Sequence, residues 1–526
     1  MPNPHWAQHF SVDSDDLEYL LGLLLEQETP LSTEELARAL IQWHLDQEIT
    51  RLEERYKDTL AYNPSQTYKA GQKLVFPAMD YATAVVTDVR AGENTEYGDF
   101  EVIAVQFDGK AETSLREFAS SLTVPHRLSE EALSGTSPLM MSDAEPPTAD
   151  EIMDTLGSQI ITRLQERLQA TPNLVKGAGR WFPRDLLVHI DEGHLNLAEA
   201  VLDLAGGGPL SAERILGEIG GLGGDSPLLL QTFSLNITLR DDDRFDEVGP
   251  AGQILWYLRR MKPEPVRQTP ALLRYRPVEF DEALFSPAMR QLVNDIDDEL
   301  SNVPVEAEGK TTARITLIYP HRRVGTLPLN AKMRAVFQTA LQAPHIWLTL
   351  VDGQDEEAFP GWVVSGGGYV YGLLDYYRKH QLPIGAYIEV RPGKTPGSIV
   401  VDFDSYRKRT EYIRLISVEN NQIQFEHSRR TIGAEFDELM IIGADDLKAL
   451  DELSERTKDR TLVSLLRELL QALSRLTPQA TVHSKTLYSA VNMLRRVPPG
   501  LMLATLVANP EFEDVGGDYW RLRGSN

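Results

Sequence analysis

Three short clusters of basic side chains carry the chemistry that most directly suggests a ligand. They are Arg322-Arg323, Arg407-Lys408-Arg409 and Arg429-Arg430, and the second cluster lies between Tyr406 and Tyr412. Guanidinium and ammonium groups that project from a rigid scaffold can bind phosphate oxygens. The clusters therefore predict contacts with nucleic-acid phosphates. The alternative is that they are loop charges that only keep the protein in solution.

The charge distribution favours the first interpretation for one part of the chain. The sequence has 78 acidic and 52 basic residues, a net charge of −26, whereas residues 310–430 carry 16 Lys and Arg against 11 Asp and Glu. That local charge of +5 leaves −31 for the remainder. A DNA duplex repels a protein of its own sign unless positive charge is gathered locally. We therefore expect DNA to bind the basic region, and the acidic part to engage a protein partner with a basic surface.

Two strings look like phosphate-binding loops but lack the required geometry. Gly309-Lys310-Thr311 has Pro304 where such a loop needs a glycine, and a predicted strand follows in place of a helix. Gly393-Lys394-Thr395 has Ile388 at that place and is typical of a hairpin turn. Neither string predicts a nucleotide site.

The other candidates for metal or catalytic chemistry are also weak. His189 and His194 are five residues apart, whereas ligands on one helical face are three or four apart. Asp241-Asp242-Asp243 lacks the spacing of a calcium loop, and the glycine-rich run 220–224 has no strand before it. We therefore predict a non-enzymatic protein without cofactor or metal, although an active site of scattered residues would escape this search.

Two repeated strings indicate a duplicated module. Residues 245–249 (FDEVG) lead to Trp256 and Leu258, and residues 512–516 (FEDVG) lead to Trp520 and Leu522. Each copy predicts two strands joined through a turn that contains glycine.

A second repeat predicts the helices of the same module. Pro-Leu-Ser occurs at 30–32 and 209–211, each time after a Leu-rich stretch. Ser32 with Glu35 predicts a capping box, and Ser211 predicts a simple cap because Arg214 stands where the glutamate would be. The order of helix, turn, helix and hairpin is that of a winged helix-turn-helix, and only residues 196–258 contain every part of it.

Two further regions alternate with a period of two. Residues 71–76, 84–89 and 100–107 predict a small N-terminal β-barrel. Between Ala313 and Ile442 we predict seven strands and one helix (371–380), which favours a closed or half-closed barrel with the basic clusters between its strands. The seven predicted strands are 314–319, 345–351, 361–364, 386–391, 398–403, 412–418 and 422–427.

The predicted fold class is therefore α+β and multidomain, with repeated winged modules, a small N-terminal barrel and a central seven-stranded barrel. The predicted boundaries are 1–62 for a helical module, 63–128 for the small barrel, 129–150 for a linker, 151–185 for a helical connector, 186–262 for a winged helix, 263–309 for a connector, 310–445 for the basic barrel, 446–478 for a helix and 479–526 for a C-terminal winged helix.

The composition indicates the cellular compartment in which the protein is expected. The sequence of 526 residues has no cysteine, which excludes disulfides and thiolate metal sites and favours the reducing cytoplasm. The N-terminus MPNPHWAQHF lacks the order of a signal peptide, and no apolar run approaches membrane-spanning length. We expect a cytoplasmic protein that does not enter membranes.

The basic region also resembles a known fold family. The strings GTLPL (325–329), VDG (351–353) and YVYGL (369–373), with Tyr376-Tyr377 and LPIGAY (382–387), are similar to the DNA-binding pseudobarrel of plant transcription factors and some restriction enzymes. In that family two loops enter the major groove. The resemblance implies that the first loop here holds Arg322 and Arg323, whereas the second, Ser365-Gly366-Gly367-Gly368, lacks the basic residues of the family.

The winged modules, above all residues 484–522, resemble the HARE-type helix-turn-helix family, which includes the acidic delta subunit of bacterial RNA polymerase. This resemblance implies RNA polymerase as one possible partner, and Lys485, Arg495 and Arg496 as exposed contact residues. The favoured hypothesis is a DNA-binding or transcription-associated protein. Two alternatives stay open, namely a protein-interaction scaffold that never touches nucleic acid, and an accessory factor of a restriction or defence system.

Overall fold

The computed structural model describes residues 10–79, 81–108, 115–124, 147–222, 225–301, 312–337, 343–395, 397–419 and 422–524. Most of the predicted linker, and the string Gly309-Lys310-Thr311, lie outside these ranges. The chain is α+β and divides into two compact units, Met1–His189 with Asp225–Ser234, and Ile190–Gly224 with Leu235–Asn526. None of the helices in the described ranges combines the length and apolarity needed to cross a bilayer.

The first unit contains three helices and eight strands in its described residues. In chain order they are α1 (Ser14–Gln27), β1 (Leu31–Ser32), α2 (Thr33–Arg55), β2 (Thr59–Ala61), β3 (Lys73–Phe76), β4 (Ala82–Ala91), β5 (Glu101–Phe107), β6 (Leu115–Ser120), α3 (Ala149–Gln169), β7 (Leu174–Gly177) and β8 (Arg180–Pro183).

Interactions between residues close in sequence determine where helices of the first unit begin and which of their faces is buried. The predicted capping box is confirmed, because the Ser32 backbone N–H donates to Glu35 Oε2 at 2.7 Å and the Glu35 N–H donates to Ser32 Oγ at 3.1 Å. Helix α3 buries Ile160, Leu164 and Leu168, as their spacing predicts. Strand β1 pairs with β8 of the hairpin β7–β8, a hairpin that the sequence did not predict.

The inserted strands β2 to β6 form one sheet, in the order β2-β3-β4-β5-β6. Its core is aromatic, because Tyr62, Phe76 and Phe118 contact one another with ring centroids 4.6–5.4 Å apart. The three predicted strands are confirmed, and β2 and β6 extend the sheet on either side.

The second unit contains most of the remaining elements, and α6 begins in the segment Asp225–Ser234 of the first. In chain order the elements are α4 (Glu192–Leu204), α5 (Ala212–Ile219), α6 (Leu228–Asp241), β9 (Phe245–Glu247), β10 (Trp256–Leu258), α7 (Glu264–Arg267), α8 (Pro287–Ile296), β11 (Ala313–Thr316), α9 (Tyr319–Val324), β12 (Thr326–Pro328), α10 (Ala331–Val336), β13 (His345–Asp352), β14 (Ala358–Val364), β15 (Tyr369–Tyr371), α11 (Leu374–Lys379), β16 (Tyr387–Pro392), β17 (Ser398–Asp402), β18 (Ser405–Glu419), β19 (Gln422–Ala434), β20 (Ile442–Ala444), α12 (Leu447–Thr457), α13 (Leu462–Ser474), β21 (Val482–His483), α14 (Ser484–Val491), α15 (Pro499–Ala508), β22 (Phe512–Gly516) and β23 (Tyr519–Leu522).

One order of elements occurs three times: helix, short strand or bridge, two helices, hairpin. We call this a trihelical hairpin module. In each copy the short strand pairs antiparallel with the second hairpin strand at a tryptophan, in the pairs Leu31↔Trp181, Leu210↔Trp256 and Val482↔Trp520. The indole N–H is then buried and donates to a side-chain oxygen, of Thr33, Asn236 and Ser484 respectively. In the first copy the five-stranded sheet is inserted between the second and third helices.

The central sheet of the second unit is a curled, seven-stranded half-barrel. Its strand order is β11-β16-β17-β13-β14-β15-β12, and only the β13–β17 pair is parallel. Its concave core includes Leu348, Val363, Tyr377 and Ile388. Its other face also lies against protein, because Trp347 and Trp362 pack with Val248, Tyr257 and neighbouring residues of the second module.

All seven predicted strands form, but the assignment of two of them to the barrel is wrong. The strands predicted at 412–418 and 422–427 belong to a separate three-stranded sheet, β19-β18-β20, and the places in the half-barrel are taken by the short strands β12 and β15. The reason is burial: Ile416, Ile423 and Phe425 pack into the core of the C-terminal helices, away from the half-barrel. The basic clusters of this hairpin consequently lie within strands, not between them.

The buried indole bond of the third module gives a test of stability. Replacing Ser484 by Ala leaves the Trp520 N–H without its acceptor, and a buried unpaired donor costs about 1–3 kcal/mol. We expect urea denaturation of the full chain to show a loss of that size. The matched Ser474→Ala variant, whose hydroxyl bonds a carbonyl at the exposed end of α13, should change the free energy of unfolding by about 0.5 kcal/mol or less.

Candidate nucleic-acid interface

The long hairpin of strands β18 and β19 carries five of the ten predicted basic residues. Its turn end is anchored by Ile416, Ile423 and Phe425, which pack against helices of the C-terminal module. Its opposite end is solvent-exposed and contains Arg407, Lys408 and Arg409. The strands remain paired there, apart from a register shift between Ser405 and Arg409. A rigid anchor thus holds a basic end in solvent, which we call the hairpin base (residues 405–412 and 429–434).

Two of the five predicted cations in the hairpin base are paired with carboxylates. Arg409 forms an ion pair with Glu411, and Arg430 pairs through both carboxylate oxygens with Asp445. The hydrogen bond to Glu411 raises the pKa of Arg409, so its charge is retained but largely balanced. Exposed pairs of this kind can exchange partners at little cost.

The other three cations have no carboxylate within 4.0 Å in the described part of the chain. These are Arg407, Lys408 and Arg429. Lys408 Nζ donates to Gln381 Oε1 at 3.0 Å, and Arg429 Nε donates to Tyr412 Oη at 2.8 Å. Both partners are neutral, so the charge of these groups is not cancelled by a neighbouring carboxylate.

The cluster Arg322-Arg323 lies apart from the hairpin base, and it is helical where a loop was expected. Arg322 and Arg323 belong to α9, which starts with Pro320 near its N-terminus and ends at Gly325 in the left-handed conformation. Arg322 Nε donates to the Leu382 carbonyl at 2.7 Å, and burial lowers the pKa of Arg322. Arg323 Nη2 lies 3.4 Å from Asp451. Arg322 therefore serves largely to join α9 to the chain after α11.

The three basic residues predicted as exposed contacts of the C-terminal module are engaged inside the protein. Lys485 Nζ donates to Asp437 Oδ2 at 2.9 Å, and Arg495 Nη2 donates to the carbonyl of Arg460 at 2.8 Å. Arg496 is not exposed at all: its side chain has 0% of its surface accessible. The expectation of three exposed contacts was wrong because their acceptors come from distant parts of the sequence.

Arg496 is the centre of a buried charge network. Its Nη2 lies 2.9 Å from both Asp298 Oδ2 and Glu299 Oε2, and His321 Nε2 lies 3.2 Å from Glu299. Tyr488 Oη donates to Asp298 at 2.8 Å. Burial opposes charge on Glu299 and on Arg496, but each stabilises the charged form of the other, so the pKa of Glu299 is lowered and that of Arg496 is raised.

Two exposed aromatic side chains were not predicted as contact residues, although Tyr412 was noted as a neighbour of the second basic cluster. Tyr412 faces Arg429 across the hairpin, 62% exposed, with the guanidinium 5.0 Å from its ring centroid. Tyr519, 38% exposed, lies on the hairpin of the third module, where its ring contacts His483 edge-on. The period-two spacing of Tyr412 and Arg414 places both on one face of β18, and this signal was available in the sequence.

The hairpin base also meets an edge of the half-barrel. Arg314 of the edge strand β11 pairs with Glu435 at 2.8 Å and with Asp404 at 3.4 Å, and its guanidinium lies 4.2 Å from the Tyr387 ring centroid. These contacts fix the start of β18 and the end of β19 against the sheet. The basic surface is therefore part of the rigid second unit.

Comparison with known proteins gives no relative for this arrangement: no family model, curated protein or solved structure matches the chain.

The buried network predicts that Arg496 is a structural residue. Replacing it with Met keeps most of the volume but leaves Asp298 and Glu299 without their cation, and removing one partner of a buried pair costs about 3–5 kcal/mol. Chemical denaturation should show a loss of this size in the free energy of unfolding. Arg521→Met breaks only the exposed pair with Glu513 and should cost about 1 kcal/mol or less. Equal effects of the two variants would contradict the assignment.

Proposed function

We propose that this protein is a non-enzymatic DNA-binding protein, and that the hairpin base holds the phosphate backbone. The observation that carries the proposal is the group of three cations, Arg407, Lys408 and Arg429, that no carboxylate balances in the described structure. Phosphate contacts displace condensed counterions from DNA, and this release supplies most of the sequence-independent affinity. Arg409 and Arg430 would join these contacts by exchanging their exposed carboxylates for phosphates.

The shape of the element supports the same proposal. A two-stranded β-ribbon fits the major groove of B-DNA, which is about 12 Å wide. Strands β18 and β19 form such a ribbon, and its exposed end is braced against the half-barrel by Arg314. A braced ribbon loses little conformational freedom on binding, so most of the electrostatic gain is retained as affinity.

We further propose that the trihelical hairpin modules are winged helix-turn-helix domains, and that the half-barrel is a pseudobarrel of the DNA-binding type. The order of their elements supports both assignments. In the third module Lys485, Arg495 and Arg496 bond protein groups, which favours a structural role for that module and moves the proposed DNA contact to the hairpin. The acidic surfaces would dock a basic protein partner, with RNA polymerase as one candidate.

Lys485, Arg495 and Arg496 bond groups of the protein itself, and this also favours the second candidate function, a protein-interaction scaffold without nucleic-acid binding. The two functions differ in one measurable property, the dependence of DNA affinity on salt. A DNA-binding protein loses affinity as the salt concentration rises, whereas a scaffold shows no salt-dependent DNA binding because it releases no counterions.

The triple variant Arg407→Gln, Lys408→Gln and Arg429→Gln tests the proposal in the full chain. Fluorescence anisotropy with a random duplex at several salt concentrations should show weaker binding, and the slope of log K against log salt should become shallower by about 0.9 for each lost phosphate contact. Gln removes the charge while it keeps a polar side chain that can still donate hydrogen bonds.

A matched control removes three exposed charges elsewhere in the second unit, in the variant Arg456→Gln, Lys458→Gln and Arg467→Gln. Each of these cations is paired with a carboxylate, Glu452, Glu455 and Glu511 respectively. The control should leave the salt slope unchanged. Wild-type protein that does not bind at low salt, or equal losses in both variants, would refute DNA binding by the hairpin base.

A further inference from the structure

The hairpin base presents an exposed aromatic ring together with its charges. This ring bears on which kind of nucleic acid the hairpin base can bind. Tyr412 is 62% exposed, although a tyrosine in a strand of this sheet could have packed inward. Its hydroxyl accepts hydrogen bonds from the Arg429 guanidinium, including one of 2.8 Å from Nε. The polar end of the side chain is therefore occupied, and the ring is the part left for a ligand.

Arg429 also fixes the orientation of that ring. Tyr412 and Arg429 face each other in the register of the hairpin, and the guanidinium carbon lies 5.0 Å from the ring centroid. A ring held by a cross-strand partner loses little rotational freedom when a second planar group stacks on it. Tyr406, by contrast, is half-buried and lies beside Arg409 at 4.5 Å, so it offers less free surface.

Arg414 follows Tyr412 on the same face of β18, about 7 Å along the strand by the usual rise per residue. A second cation therefore lies on the face that carries the Tyr412 ring, and a cation next to an exposed ring is the arrangement that binds the bases and phosphates of one strand.

Acidic groups are present near this face. Asp437 is paired with Lys485, and the backbone carbonyl of Glu438 accepts from Arg414 Nη1 at 2.8 Å. These groups disfavour a phosphate directly beside Arg414, whereas the flat face of a base carries no charge.

We propose that the hairpin base binds unpaired nucleotides, with a base stacked on Tyr412 and the backbone held by Arg407, Lys408 and Arg429. In a duplex each base face is covered by its neighbours, so a tyrosine ring gains a stacking partner only from a single strand, a gap or a frayed end. This inference rests on the proposed function and narrows its ligand from DNA in general to DNA with unpaired bases.

The test compares a fluorescein-labelled dT20 with a 20-base-pair duplex, both titrated with the full chain at one salt concentration. We expect the single strand to bind at least about tenfold more tightly. Tyr412→Ala should weaken binding of dT20 about tenfold and change duplex binding less than twofold. Tyr412→Phe keeps the ring and should bind dT20 within about threefold of the wild type.

A matched control is Tyr97→Ala, which removes a ring that is 43% exposed in the first unit and should leave both affinities unchanged. If the duplex binds as tightly as dT20 and Tyr412→Ala has no effect, while the triple charge variant still abolishes binding, then stacking is wrong and the proposed function stands. If neither nucleic acid binds the wild type at low salt, both proposals are wrong.

Discussion

The burial of Arg496 with two adjacent carboxylates is the constraint on which the second unit depends. Charges removed from water cost several kcal/mol each unless every donor and acceptor finds a partner. Asp298 and Glu299 meet this condition only because Arg496 and Tyr488 come from the third module and His321 comes from α9 beside the half-barrel. Three distant stretches must therefore be in place together, and this requirement fixes the third module against the half-barrel.

The position of the hairpin follows from that arrangement. Helix α14 donates from the Thr486 and Ser489 hydroxyls to the carbonyls of Leu439 and Met440, just before β20. Strand β20 pairs in parallel with the middle of β18, so the module that contains Arg496 also fixes the position of β18. At the other end Arg314 joins the hairpin to the half-barrel. The hairpin is thus held by the third module on one side and by the half-barrel on the other.

The sequence was informative where interactions are local. The capping residues Ser32 and Ser211 and the hairpin strands at 245–258 and 512–522 were found, because caps and turns need only neighbouring residues. It failed where partners are distant. The first module is interrupted by a whole sheet, so its third helix and its hairpin at Trp181 were predicted as a separate helical connector (151–185), and Arg496 bonds Glu299 across 197 residues. An arginine has the same sequence pattern whether it is exposed or buried, so its burial could not be foreseen.

Because the chain has a strong negative charge, a few unbalanced cations determine where a polyanion could approach it. Several basic side chains around the hairpin, such as Arg323 and Arg430, are balanced by a carboxylate, so they add little to the field at longer range. An acidic surface repels a polyanion everywhere except where positive charge is locally unbalanced. In the DNA-binding function that we propose, that repulsion would cost affinity but would restrict the allowed orientations to those that bring the strand to Arg407, Lys408 and Arg429. A protein with a net charge of −26 would then bind DNA weakly but at one site, and the Tyr412 ring beside that site would favour DNA with unpaired bases.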